Sequence, residues 1–291
     1  MVTTNHSNNR TAPSDNSTNS NSQPELAFPT VGGILDALPE ILLWALLYFA
    51  LSCVVRRYCY NEPNLDKAKR ARLRNVFVAL LHSCISSVWS VSMYVMYPEM
   101  TNDYLNYANA PLYHMVEMSM GYFVHDSIDM YRFERWNYTR LILIHHFVTF
   151  GEFLIAVSTH KYLPYAASAL LMELSSITLH VRTTLGLLKR RTRFVKLCTL
   201  CTFMPFRFGV QIWQTNWLME SRAVMHPWIW HAGMFGEYFF FIINGCLLWR
   251  IIKVDFLVSA DRKTHVNNNV DDPVTSRRPK VTNQLQKLHD D

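Results

Sequence analysis

Both ends of the sequence contain few apolar residues. Residues 1–30 are rich in Asn, Ser and Thr, and residues 258–291 are mostly polar and charged. Segments with so little apolar surface cannot offset the entropy lost on ordering, so we expect two disordered tails. The tails explain why a chain that is 50% hydrophobic has a mean hydropathy of only +0.02. The apolar residues are therefore concentrated between the tails.

The apolar middle of the chain divides into seven segments long enough to cross a membrane, which takes ~20 mostly apolar residues. The predicted spans are 34–55, 75–97, 111–131, 138–158, 162–187, 194–215 and 227–252. Pro205 and Arg207 interrupt the sixth span, and we expect Pro205 to kink it, as neighbouring helices permit. The predicted fold is an all-α bundle of about seven transmembrane helices, in which residues 34–55 form an anchor and residues 70–252 a membrane domain.

Lys and Arg are scarce in every second connection between these spans. Residues 97–110 contain none, and the fourth and sixth connections contain only Lys161 and Arg222. The first, third and fifth connections and the C-terminal tail are basic. Because cytosolic loops carry the excess of Lys and Arg, the pattern predicts an outside N-terminus and a cytosolic C-terminus. The net charge of +6 then reflects cations at the membrane border, where anionic lipids attract them, and implies no nucleic-acid partner.

The predicted outer side lacks cysteine, because all six cysteines fall in predicted helices or on the cytosolic side. This distribution excludes a disulfide framework. The N-terminal tail contains three Asn-x-Ser/Thr triplets, which predict glycosylation at Asn5, Asn9 and Asn16. The tail lacks a basic start followed by an apolar core, so we expect no cleaved signal peptide and a retained first helix.

Seven helices with an outside N-terminus also describe G-protein-coupled receptors, whose motifs are missing here. The third span ends without a D-R-Y-like triplet, and the seventh contains no N-P-x-x-Y. The predicted outer loops lack a cysteine pair. These absences disfavour a receptor.

Histidine is the unusual residue that the predicted helices do contain. Five histidines lie within them at a similar depth: His82, His125, His145, His146 and His180. At 1.5 Å per residue they lie roughly 10 Å from the predicted cytosolic border. His145 and His146 are adjacent, so their side chains point about 100° apart and only one can face the bundle centre.

Several of these histidines share a helix face with other polar residues. The polar stripes are His125 with Asp129, His145 with Thr149 and Glu152, and Glu173 with Ser176 and His180. A stripe of this kind can face a bundle interior while lipid contacts only apolar side chains. Three interpretations remain open: hydrogen bonds that fix helix packing, a general base for acyl transfer, or a metal centre. The short-spaced histidine clusters of a membrane di-iron site are missing, which disfavours the metal.

Three segments in succession resemble the TLC-domain family, the homology region shared by TRAM, the Lag1-type ceramide synthases and a lipofuscinosis protein. They are HDSID at 125–129, LILIHHFVTF at 141–150 and ELSSITLHVR at 173–182. The resemblance covers about residues 70–252. The ELSS…H-x-R pattern is similar to the branch of small TLC proteins that set phospholipid composition and membrane fluidity.

This resemblance implies a multi-pass plasma-membrane glycoprotein that restrains incorporation of long polyunsaturated acyl chains into phospholipids. The alternatives are an endoplasmic-reticulum location and an acyl-CoA-dependent acyltransferase of ceramide-synthase type, with His145 or His146 as the catalytic candidate. Ceramide synthases carry their HDxxD segment after the paired histidine, whereas HDSID precedes it here. An established catalytic activity is therefore not expected.

The residues and the resemblance together predict one buried lipid-binding site. Its members are His125, Asp129, His145, His146, Glu173 and His180. The expected partners are membrane lipids or acyl intermediates. No cofactor and no metal are expected.

The alternating charge pattern predicts where tags at the two ends of the chain become accessible. A tag at residue 1 should be stained on intact cells, and a tag at residue 291 only after permeabilisation. Immunofluorescence with and without detergent measures this difference. Finding both tags on the same side would contradict the seven-helix prediction.

Overall fold

The computed structural model describes residues 29–59, 65–133, 137–190 and 192–254, and these residues form helices and turns without a strand. The α-helices are α1 Val31–Cys59, α2 Lys67–Met96, α3 Ala110–Phe133, α4 Asn137–Thr159, α5 Leu163–Leu170, α6 Glu173–Leu187, α7 Arg193–Phe203, α8 Val210–Glu220 and α9 Pro227–Ile252. The predicted all-α class is confirmed. The predicted glycosylation sites Asn5, Asn9 and Asn16 and the tail 258–291 lie outside the described residues.

Contacts between helix ends show that the first four helices alternate in direction. Glu40, near the start of α1, contacts His114, near the start of α3. Arg74, near the start of α2, pairs with Asp129, near the end of α3. Gly33 of α1 packs so closely on Ser158, near the end of α4, that a side chain at Gly33 would clash with its carbonyl group. Helices α1 and α3 are therefore parallel, and α2 and α4 run the opposite way, as alternating membrane crossings require.

Four helices are long and apolar enough to cross a membrane by length and composition. They are Val31–Tyr58, Lys67–Met96, Arg140–Thr159 and Pro227–Ile252. Helix α3 contains three carboxylates, and the remaining predicted spans are each divided into two helices. The total of seven spans and their orientation in the membrane therefore stay predictions.

The fifth predicted span, 162–187, is not one helix but two, because the chain tightens between α5 and α6. The amide groups of Leu171 and Met172 bond three residues back, to the carbonyl groups of Ser168 and Ala169, each at 3.1 Å. Side chains stabilise the break, since the Ser168 hydroxyl and the Gln214 amide both donate to the carbonyl oxygen of Tyr165. Hydroxyl groups that bond nearby carbonyl groups compete with regular helix bonds.

The sixth predicted span is irregular where proline was expected to disturb it. Residues Met204–Gly209 form a π-helical segment between α7 and α8, with Pro205 in its first turn. Proline has no amide hydrogen to donate and crowds the preceding turn, so regular α-helical bonding is interrupted at this residue. The wider turn carries Arg207, whose contacts are described below.

A second close approach between helices places α1 directly against α3. A Cβ atom added to Gly121 would lie 2.5 Å from Cβ of Trp44 and 2.8 Å from both the Ala45 nitrogen and the Ile41 carbonyl oxygen. Two of these three atoms belong to backbone, which cannot rotate away. Helices without a side chain at the contact can approach closely, which is a common basis of packing in membranes.

Substituting Gly121 with Ala should destabilise the bundle by about 1–3 kcal/mol, because α1 must move away from α3. Thermal unfolding of the purified protein in detergent measures the change. Gly151→Ala is the matched control, since nothing lies within 4 Å of a Cβ atom at that position. An unchanged melting temperature for Gly121→Ala would contradict the close contact.

Candidate functional site

Two of the predicted histidines are completely buried at the junction of α1, α2 and α3. His82 and His125 are both 0% exposed. The His82 ring lies 3.9 Å from the Tyr122 ring, and the His125 ring lies 4.7 Å from the Phe49 ring, measured between centroids. Among the described residues, neither nitrogen of either ring has a hydrogen-bond partner, nor does the Tyr48 hydroxyl. A buried polar group without a partner costs about 1–3 kcal/mol, so such groups in a native protein require an explanation.

The two aspartates of HDSID bind side chains at the start of α2. Arg74 donates to Asp129, and both side chains are more than nine-tenths buried. Asn75 donates to Asp126, which also lies 3.5 Å from Nδ1 of His146. Arg74 precedes the predicted second span, 75–97, but α2 begins at Lys67 and carries Arg74 into the bundle.

The adjacent histidines of α4 face different helices. His146 is buried and faces α3, with its ring 5.2 Å from that of Phe123 and its Nδ1 atom 3.5 Å from the Ser127 hydroxyl. His145 is half-buried and faces α9, with its ring 5.1 Å from that of Phe240. Thr149 donates to the carbonyl oxygen of His145 within its own helix. His146 is thus the member of the pair that faces the bundle centre.

The polar stripe of α6 faces two different neighbours. Glu173 accepts a hydrogen bond from Ser83 of α2. Ser176 accepts one from Arg207, at 2.7 Å. His180 is half-buried on the same helix. The stripe therefore connects α2 to the π-helical segment.

Arg207 was missed as a site residue, since the sequence shows it only as an interruption of an apolar span. Its guanidinium donates to Ser175 at 2.9 Å, to Ser176 at 2.7 Å and to Asn244 at 3.1 Å. An arginine deep in an apolar segment is costly unless it faces polar partners, and that cost is the signal that could have identified it.

The six predicted site residues therefore form two groups. His125, Asp129 and His146 are buried, whereas His145, Glu173 and His180 are half-buried. We call the second group together with His146 and Arg207 the α4–α6 polar set. Helix α4 packs mainly on α1, α3, α5 and α9, and α6 packs mainly on α2 and α7. The polar set thus lies on α4, on α6 and on the π-helical segment, and α4 and α6 are each held by other neighbours.

A separate pair of carboxylates lies between α4 and α9. The Glu152 carboxylate rests on Gly236 so closely that a side chain there would overlap it. The neighbouring Glu237 accepts hydrogen bonds from the Tyr165 hydroxyl and the Thr215 hydroxyl. Glu152 also borders a cavity of ≈ 40 Å³, which is lined mostly by apolar and aromatic residues. Glu237 was missed in the sequence because it stands alone in an aromatic run.

Comparison with known proteins gives one family and several relatives. The TLC domain matches residues 72–253, more than half of the chain. TLC domain-containing protein 2 of Danio rerio is 29% identical over 205 residues, which cover 69% of this chain and 83% of the relative. TLC domain-containing protein 2 of Mus musculus is 32% identical over 157 residues, covering 51% and 49%. TLC domain-containing protein 1 of Gallus gallus is 26% identical over 207 residues, covering 69% and 80%.

Replacing Arg74 alone should destabilise the protein strongly, because Asp129 is left buried without its cation. We expect Arg74→Met to cost about 3–5 kcal/mol, and Arg74→Met combined with Asp129→Leu to recover most of that loss. Unfolding in detergent measures both variants. Lys69→Met is the control, since the exposed pair of Lys69 with Asp66 is worth about 0–1 kcal/mol. Equal losses for the single and double variants would contradict a buried ion pair.

Proposed function

The chain belongs to the TLC-domain family of integral membrane proteins involved in lipid biology, and we propose that it regulates membrane phospholipid composition and fluidity. It does so by restraining the incorporation of long polyunsaturated acyl chains into phospholipids. The proposed ligand is a membrane lipid or an acyl intermediate. The proposed location is the plasma membrane, with the endoplasmic reticulum as the alternative.

The observation that carries this proposal is the set of buried polar atoms without partners. Both nitrogens of His82 and of His125, together with the Tyr48 hydroxyl, have no hydrogen-bond partner among the described residues. In a bilayer core, such atoms can be bound only by a polar part of a lipid, a water molecule or another protein group. A lipid that carries its polar group into the bundle would satisfy them.

The route to these atoms runs through the α4–α6 polar set. His145, Glu173, His180 and Arg207 are half-buried, whereas His82 is fully buried. Ser83, the residue after His82, donates a hydrogen bond to Glu173. The guanidinium of Arg207 favours a phosphate or an ester oxygen at the entrance, and the surrounding apolar side chains favour the acyl chain. Polar groups at one end and apolar surface around them match the chemistry of a lipid or an acyl thioester.

The arrangement of His146 and Asp126 supports a second candidate function, that of an acyltransferase. Nδ1 of His146 lies 3.5 Å from Oδ2 of Asp126. A carboxylate at one ring nitrogen orients the imidazole so that its other nitrogen can accept a proton from an attacking hydroxyl or amine. An acyltransferase requires this pair to transfer a proton, whereas a regulator that only binds the lipid does not.

Replacing His146 with Ala should abolish the effect on phospholipid composition, because the substitution removes a central side chain of the proposed site. Lipidomics of knockout cells complemented at matched protein levels measures the polyunsaturated share of phospholipid acyl chains. His231→Ala is the matched control, since His231 is an exposed histidine on α9. If His146→Ala lowers the melting temperature but complements like wild type, the histidine only fixes helix packing and the proposed site is wrong.

An acyl-transfer assay separates the two candidate functions. Purified protein is incubated with labelled acyl-CoA and lipid acceptors, and Asp126→Asn is compared with wild type. Transfer that falls at least tenfold in Asp126→Asn favours the acyltransferase. Absence of transfer by wild-type protein that still restores lipid composition in cells favours the non-enzymatic regulator.

A further inference from the structure

A second polar cluster lies at the other end of the bundle from the histidines described above. It consists of Glu40 on α1 and of His114 and Glu117 on α3. One ligand atom from each side chain can be chosen so that all three lie within 4.8 Å of one another. Neither the predicted lipid-binding site nor the proposed lipid route uses these residues.

The three side chains converge on a small volume. Nδ1 of His114 lies 2.8 Å and 2.9 Å from the two carboxylate oxygens of Glu40, and 3.8 Å from Oε2 of Glu117. Donors on a tetrahedral ion bound at ~2.1 Å are separated by roughly 3.4 Å. The observed separations lie on both sides of that value, so small side-chain rotations bring all three atoms onto one ion.

The cluster contains more negative charge than its histidine can neutralise. One carboxylate oxygen of Glu40 and one of Glu117 lie within 4.8 Å of each other. Glu117 is only 7% exposed, and the ion pair that it forms with His114 spans 3.8 Å. An imidazolium carries one positive charge against two carboxylates, and two carboxylates this close repel each other unless a proton or a cation lies between them. A divalent cation removes that repulsion completely.

Neighbouring groups hold the cluster in place. The indole nitrogen of Trp44 donates to Oε1 of Glu40 at 3.2 Å, which orients the carboxylate. His114 and Glu117 are three residues apart, on one face of α3. A hydrogen bond to a ligating carboxylate from a second layer of residues is typical of metal sites in proteins.

We propose that Glu40, His114 and Glu117 bind one divalent transition-metal ion, with Zn²⁺ as the best match. One imidazole nitrogen and two carboxylate oxygens suit Zn²⁺, whereas Mg²⁺ and Ca²⁺ prefer oxygen alone. Three protein ligands leave a fourth position for water. The ion joins α1, which precedes the TLC-domain match at residues 72–253, to α3 inside it. The proposal is independent of the proposed lipid function.

Zinc titration of the purified full-length protein in detergent tests this site. After chelator treatment, calorimetry and thermal unfolding should detect one Zn²⁺ per chain that raises the melting temperature, with no effect of Mg²⁺. His114→Ala and Glu117→Gln should each weaken Zn²⁺ binding at least tenfold. His160→Ala is the matched control, since His160 is an exposed histidine that bonds the Tyr113 hydroxyl beside the cluster.

Cobalt substitution provides a readout that does not depend on stability. Wild-type protein should show visible Co²⁺ absorption of a four- or five-coordinate nitrogen and oxygen site, and His114→Ala should lose it. His114 is half exposed, so its removal should leave the fold intact. Wild-type protein that binds no Zn²⁺, or binding that is unchanged in His114→Ala, would overturn the proposal and leave a simple ion pair between His114 and Glu40.

Discussion

A polar side chain inside a membrane helix must find its partner within the protein, because hydrocarbon offers neither a hydrogen bond nor a counter-ion. The packing of this bundle follows from that constraint. Arg74 reaches Asp129, Ser83 reaches Glu173, and Arg207 reaches two serines and an asparagine. Each pair joins two helices that are distant in the sequence. The need of these side chains to bond to one another therefore determines which helices lie next to each other.

The same constraint makes buried polar atoms without a hydrogen-bond partner informative. Most polar side chains in the described part of the bundle are bonded, so the partnerless nitrogens of His82 and His125 are exceptions, as are Nδ1 of His145 and the hydroxyl groups of Tyr48 and Thr184. The cost of leaving them so is comparable to a large part of a protein's net stability. A polar ligand that reached these buried atoms would offset that cost by bonding to them.

Helix α1 links the two ends of the molecule. Its Tyr48 and Phe49 cover the buried histidines, and its Glu40 belongs to the proposed metal cluster. Between these positions Trp44 and Ala45 pack directly on Gly121 of α3. This close contact with α3 therefore lies between the two clusters along α1.

The sequence by itself determined the all-α class, the alternating direction of the first helices and the polar stripes on α3, α4 and α6. These properties depend on apolar length, local charge and helical spacing, which are all local in the chain. It also showed that only one of the paired histidines can face the bundle centre, but it could not choose between His145 and His146. Only the tertiary structure decided that His146 faces α3, that Arg74 is buried against Asp129, and that α5 and α6 are separate helices. Only the tertiary structure brought Glu40 to His114, 74 residues away. These outcomes depend on how each helix is rotated and placed against its neighbours, which side-chain spacing within one helix does not specify.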